Sequence, residues 1–329
     1  MTIDRRKLLL TALAASVPVR AQTPPPETGG SLPGGLPQPT ETIDLWPERA
    51  PGMPASPPLE TVNERSTDKQ VTDRAVFGIS KPRMAVFRPA VANGAAVMVT
   101  PGGAYKWVVI DKEGYEIGRW LAARGFTVFV LFYRLPAEGW AAGPDVCLAD
   151  AQRAIRVIRS RAGDYGIDPE RVAAMGFSAG GHVSTDLATR FATPTYDPVD
   201  AADKLSARPL VAAHIYPVIS MSLPVAHAVS RQMLIGENAS PELERRHSPQ
   251  HNVPDDAPPC FLVHAEDDAS VVVENTLEFR AALKAKSIPV ETHLFANGGH
   301  GFGLRKAVGK PVAAWPELFL GWARTTGLI

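Results

Sequence analysis

The segment Met175-Gly176-Phe177-Ser178-Ala179-Gly180-Gly181-His182 sets one serine between two glycines, each two residues away. An apolar run at 172–174 precedes it and reads as a buried strand, and 183–188 reads as the helix that follows. Strand, G-x-S-x-G, helix is a nucleophile elbow, a turn so tight that only small residues fit around the serine. Gly176 and Gly180 let the two backbones approach, and Ser178 is expected at the apex in a strained conformation. Its hydroxyl then points out of the sheet beside the positive end of a helix, where a developing oxyanion is stabilised. The plainer alternative is a glycine-rich turn with an incidental serine. The flanking elements and the partners downstream favour the nucleophile.

A serine nucleophile needs a base, a group that orients the base, and oxyanion donors. Downstream, His264-Ala265-Glu266-Asp267-Asp268 follows a short apolar strand, and Asn297-Gly298-Gly299-His300-Gly301-Phe302-Gly303 follows another. His300 is the candidate base: its glycine-rich loop can bring the imidazole over the elbow, to take the serine proton and return it to a leaving alcohol. Such a base predicts activity that falls as an ordinary imidazole protonates, around pH 6–7. Asp268 is the candidate acid, with Asp267 and Glu266 competing, because sequence does not say which carboxylate turns inward. His182 is read as a support of the elbow helix and His264 as structural; His214, His227, His247, His251 and His293 have no comparable setting. The oxyanion donors are expected to be the N–H of Ala179 and one from the Gly102-Gly103-Ala104 loop, with Gly103 favoured and Gly102 beside it.

Strands are predicted at 83–88, 95–100, 126–132, 210–219, 260–264 and 290–295, several of them apolar on both faces as parallel sheets require. Helices are predicted at 113–124, closed by Gly125; after Asp145, which can cap a stripe of Leu148, Ala151, Ile155 and Ile158; and at 275–286 and 315–325. This alternation specifies an α/β fold, a mostly parallel central sheet with helices on both faces. The segments 192–206 and 222–259 read as loop-rich, the second passing over the carboxyl edge of the sheet, where a site belongs.

The 329 residues are 45% hydrophobic and 21% charged, as in an ordinary soluble globular protein. Basic and acidic residues balance at 34 each, which leaves no electrostatic case for nucleic acid or an anionic membrane as partner. Residues 1–21 read as an export signal, with Arg5-Arg6-Lys7 in front, a short apolar core and Val19-Arg20-Ala21 at the cleavage point. That core is too short to span a bilayer, and the paired arginines suggest twin-arginine export to the periplasm or beyond. A Pro/Gly-rich linker is expected at 22–42 and the catalytic domain at 43–329. Cys147 and Cys260 are expected as buried thiols; neither has zinc-like spacing, so no metal is inferred.

Several ordered motifs together resemble an α/β-hydrolase of the bacterial acetylxylan esterase and carbohydrate esterase-like group. They are PGGAY at 101–105, KEGYEIGRWLAARGF at 112–126, YRLP at 133–136, GFSAGGH at 176–182, HAEDD at 264–268 and GGHGFGL at 298–304. The resemblance implies an α/β-hydrolase fold with the chain order serine, acid, histidine. It also implies hydrolysis of acetyl or other small acyl esters on a carbohydrate partner through an acyl-enzyme, with no cofactor. Tyr105, Trp107 and Trp140 become candidates for a sugar-binding surface, with loop or core packing as the alternative for each. Relatives usually carry a third glycine where this chain has Ala104; if that position needs a positive φ, alanine strains the loop. The competing expectations are a general short-chain or feruloyl esterase, and a catalytically silent sugar-binding protein on the same fold.

Overall fold

Parallel strands buried on both faces must be joined by crossovers that cover those faces, and the chain follows that rule. The computed structural model describes residues 38–329; the expected signal at 1–21 and the linker up to residue 37 lie outside them. The first half contains β1 (Glu41–Asp44), β2 (Thr61–Glu64), β3 (Arg74–Phe77), β4 (Arg83–Phe87), β5 (Ala96–Thr100), β6 (Val108–Val109), α1 (Glu116–Ala122), β7 (Thr127–Phe132), α2 (Val146–Ser160) and α3 (Ala162–Tyr165). The second contains β8 (Val172–Phe177), α4 (Ser178–Arg190), β9 (Ala212–Ile215), α5 (Ala228–Ile235), α6 (Pro241–Arg246), β10 (Cys260–Ala265), α7 (Glu274–Ala285), β11 (Val290–Phe295) and α8 (Trp315–Thr325).

Eight strands form one sheet in the order β1-β4-β7-β5-β8-β9-β10-β11. The β1–β4 and β4–β7 pairs are antiparallel, and every pair from β7 to β11 is parallel. Side chains of β10 alternate between two cores, as the two-residue period of a strand requires. Phe261, Val263 and Ala265 join the larger core with Phe319 and Trp322 of α8, while Cys260 and Leu262 meet Phe279 and Leu283 of α7. Helices therefore cover both faces. Because β5, β8, β10 and β11 run the same way, the loops after them, which carry the candidate residues, gather at one edge. A small antiparallel sheet, β2-β3-β6, lies beside the loop after β5.

Four expectations need correction. β1 starts at Glu41, two residues inside the expected linker. The helix predicted at 113–124 opens as a π turn at Asp111–Tyr115, and this wide turn brings Asp111, Lys112 and Glu113 all into the interior. Asp145 precedes α2 but caps nothing; its carboxylate instead accepts from Arg190 at 2.7 Å and from Arg246. The strand predicted at 210–219 shrinks to Ala212–Ile215, because Tyr216 turns to φ +39° and ends the extended run. Cys147 and Cys260 are buried free thiols. Among the described residues, no helix is long and apolar enough to cross a membrane.

Candidate active site

The elbow follows from close backbone contact. A Cβ on Gly176 would lie 2.2 Å from the Gly180 carbonyl oxygen, and one on Gly180 would lie 2.1 Å from that of Thr100. Neither position accepts a side chain. The Thr100 hydroxyl donates to the Gly180 carbonyl at 2.8 Å and ties β5 to the turn. Ser178, the first residue of α4, sits at φ +52°, in the left-handed region that non-glycine residues avoid.

Three side chains converge there. Ser178 Oγ lies 2.9 Å from His300 Nε2, and His300 Nδ1 lies 2.7 Å from Asp268 Oδ2. A carboxylate accepts only, so the ring proton sits on Nδ1 and leaves Nε2 bare toward the serine hydroxyl. The other oxygen of Asp268 accepts the N–H groups of Ser270 and Val271, each at 2.9 Å. Burial pushes the Asp268 carboxyl upward, but hydrogen bonds from His264 and His300 outweigh it and hold the group well below the ordinary carboxylate range. Asp267, the competing acid, is exposed and accepts from the Gly298 and Gly299 N–H groups at 2.8 and 2.7 Å. It pins the loop that carries His300. Glu266 is also exposed.

The loop after β5 is held from several sides. Tyr133 Oη donates to the Pro101 carbonyl at 2.7 Å, and the Val109 N–H donates to the Gly102 carbonyl at 2.9 Å. Gly102 has to be set aside as an oxyanion donor, because its N–H already donates to Glu113 Oε2 at 2.9 Å. Among the described residues the Gly103 N–H has no bonded acceptor, and the Ala179 N–H lies in the first turn of α4, where helix N–H groups have no intrahelical partner. Ala104 adopts φ +56°, so the missing third glycine does strain this loop, and Tyr105 follows at φ +60°.

Two of the aromatic candidates are not on a surface. Tyr105 is buried with its hydroxyl 2.6 Å from His182 Nδ1, and Trp140 is buried with the Arg134 guanidinium 4.8 Å from its ring centre. Trp107 is half-buried, with the Arg65 and Lys106 cations 5.9 and 5.7 Å from its ring centre. His182 Nε2 faces the His247 carbonyl at 2.7 Å, so it donates there and Nδ1 accepts from Tyr105; the ring locks the elbow helix to both segments.

Sequence reasoning missed Glu113, Tyr216 and the contact of His264 with the acid. His264 Nε2 lies 3.3 Å from Asp268 Oδ2 and 2.9 Å from the Val271 carbonyl, while Nδ1 faces the Thr276 hydroxyl at 2.8 Å. The signal for His264 was its spacing of four residues from Asp268; Tyr216 had none, lying inside an apolar run. His227 caps α5 by accepting the Ser230 N–H at 3.3 Å; burial first, and then the charge of His300, lower its pKa. Among the described residues no cluster of three or more His, Cys, Asp or Glu is placed to hold a metal ion.

Three buried histidines carry a consequence for stability. Burial lowers His182 and His247 to about 4 and His214 to about 3, against an ordinary 6.5. The unfolded chain therefore binds more protons below pH 6.5, so stability is full above that value and is lost as pH falls toward 4. Each histidine is expected to cost about 2 kcal/mol at about pH 5. Urea unfolding at about pH 7 and about pH 5 checks this, and equal midpoints would exclude it.

The sequence matches the family described as BD-FAE over residues 84–283. The chain belongs to the BD-FAE family. The matched region includes Ser178 and Asp268, with His300 beyond its end. This BD-FAE chain is 32% identical to an acetylxylan esterase of Xylanibacter ruminicola over 227 residues, 68% of this chain and 44% of that protein. It is 31% identical to endo-1,4-beta-xylanase B of Butyrivibrio fibrisolvens over 291 residues, 86% of this chain and again 44% of the other. The match thus spans less than half the length of either relative. The solved structure of an acetyl ester-xyloside bifunctional hydrolase from Caldicellulosiruptor lactoaceticus is similar with a TM-score of 0.71 and 32% identity, covering 90% of this chain and 99% of that one. The BD-FAE chain has the α/β-hydrolase fold, with a mostly parallel sheet enclosed by helices.

Proposed function

We propose that this chain is a serine carboxylic-ester hydrolase that removes acetyl or similar small acyl groups from carbohydrate through an acyl-enzyme. The observation that carries the reading is the continuous line from Ser178 Oγ through His300 to a buried Asp268, at 2.9 and 2.7 Å. Ser178 Oγ attacks the acyl carbon while its proton passes to His300 Nε2, and the carbonyl electron pair moves onto oxygen. Asp268 keeps the imidazole oriented and stabilises its cationic form. The oxyanion faces the N–H groups of Ala179 and Gly103. Collapse breaks the ester C–O bond, and the sugar oxygen leaves with the proton from His300. Water then repeats the sequence on the acyl-enzyme, releasing the carboxylic acid and restoring the serine.

The substrate class rests on relatives named for acetylxylan, xylan and an acetyl ester-xyloside. A half-buried Trp107, whose ring lies against Gly103, suits the face of a sugar ring. The reading is tested on acetylated xylan, 4-nitrophenyl acetate and a feruloylated sugar. Release of acetate from the first two, with little ferulate from the third, is the expected result. Turnover of 4-nitrophenyl acetate alone would move the assignment to a general short-chain esterase. The paired arginines and short apolar run at the N-terminus support export, which fractionation of cells expressing the full chain would check.

A further inference from the structure

Glu113 is a carboxylate only 3% exposed, placed behind the nucleophile. A Cβ on Gly102 would lie 2.7 Å from Glu113 Oε2 and 2.8 Å from Ser178 Cβ, so acid, loop and elbow are in direct contact around that glycine. One carboxylate oxygen accepts the Gly102 N–H at 2.9 Å; the other accepts the Tyr216 hydroxyl at 3.1 Å and lies 3.6 Å from the Lys112 ammonium. Tyr216 Oη in turn accepts the Gly303 N–H at 3.2 Å, and its ring meets that of His300 edge-on at 5.1 Å. A buried carboxylate is costly unless its oxygens are satisfied, and here both are used on loops that flank the serine.

We propose that Glu113 is a positioning residue that aims the oxyanion hole. The inference rests on the ester-hydrolase reading above. In a trans peptide the C=O and N–H point in opposite directions. The Gly102 carbonyl is held by the Val109 N–H, so the Gly103 N–H of the same peptide is turned the other way. That orientation is stable only if the Gly102 dihedrals are also fixed, and glycine is the residue least able to fix them itself. Glu113 supplies the second anchor at the Gly102 N–H. Through Tyr216 and Gly303 the same carboxylate ties the donor loop to the loop of the base, so donor and base keep register across the serine.

The test compares Glu113→Gln and Glu113→Ala with wild type for kcat and KM on 4-nitrophenyl acetate, melting temperature, and inhibition by a trifluoromethyl ketone, whose serine adduct places an oxyanion in the same hole. Glutamine keeps one acceptor oxygen and is expected to lower kcat about tenfold; alanine keeps none and is expected to lower it about 100-fold. KM should stay within about threefold, and the inhibition constant should rise by the factor that kcat falls. Unchanged kcat in a folded variant, a rise in kcat, a loss confined to KM, or an unchanged inhibition constant would each overturn the proposal. If Glu113→Ala does not fold, Glu113→Gln decides by the same readouts. A wild type inactive on every ester ends the hydrolase reading and this inference with it, whereas an active wild type matched by Glu113→Gln ends this one alone.

Discussion

Replacing Ser178 by alanine is expected to lower ester turnover by about 10⁴-fold or more, close to the floor set by the assay. The size follows from the lack of a substitute. The nearest hydroxyl on the same helix, Ser184, donates to the Gly181 carbonyl at 3.0 Å and is fully buried against His214. The proposed oxyanion donors, Ala179 and Gly103, and the proposed base, His300, survive in Ser178→Ala, and they would retain only the part of the acceleration that does not need a covalent intermediate. Folding should be little affected, because among the described residues the serine side chain makes one hydrogen bond, to half-buried His300, and alanine tolerates φ +52° no worse than serine. The checks are kcat on 4-nitrophenyl acetate, acetate release from acetylated xylan, and a melting curve. A variant that keeps a tenth of the activity would remove Ser178 from the chemistry.

The second large effect is expected at Asp268→Asn, a loss in kcat of about 10⁴-fold. An amide presents N–H groups where the carboxylate accepted the His300 Nδ1–H, so the imidazole proton shifts to Nε2 and the serine loses its base. His264 sharpens the conflict. Its Nε2–H faces the same carboxylate oxygen, so even after the His300 proton has moved the amide nitrogen still meets one ring N–H in a buried space. The neighbouring Asp267→Asn keeps an oxygen able to accept from Gly298 and Gly299 and is expected to lower kcat less than about threefold. The pair is therefore its own control: equal losses at the two positions would show that loop disturbance, not tautomer, governs the rate.

The two carboxylates also show where local sequence stops being informative. Strand, small-residue turn and helix around Ser178 are legible because the backbone contacts at Gly176 and Gly180 are made within a few residues or to the next strand. The sheet is legible because the runs that form β5, β7 and β8 are apolar except for Thr100 and Thr127 and buried along their whole length, as a layer covered on both sides requires. Asp267 and Asp268 are chemically identical neighbours, and only the turn after β10 sends one inward and leaves the other outside. Tyr105 and Trp140 illustrate the same limit. An aromatic beside a motif suits a sugar or a core equally well, and the choice depends on His182 and Arg134, residues distant in the chain or fixed by tertiary packing. Helical spacing places Glu113 at the start of an ordinary helix; its inward position comes from the π turn at Asp111–Tyr115, which packs against β5 and β7, contacts that spacing does not carry.

Five non-glycine residues in the described chain have positive φ, and four of them, Ala104, Tyr105, Ser178 and Tyr216, surround one cluster of side chains, while Ser287 lies elsewhere. Each such residue costs about 1–3 kcal/mol, so the site is the least comfortable part of its own scaffold. Laboratory selection for heat resistance would find an easy gain at Ala104, where glycine relaxes the backbone and gives up only a methyl group, whereas Tyr105 and Tyr216 are buried and hydrogen-bonded and would lose more than the strain they relieve. That gain would come from loosening the loop that flanks the serine. A heat-resistant form that still turns over ester is better sought at the far edge of the sheet, around β1 and β4, with these four residues left as they are.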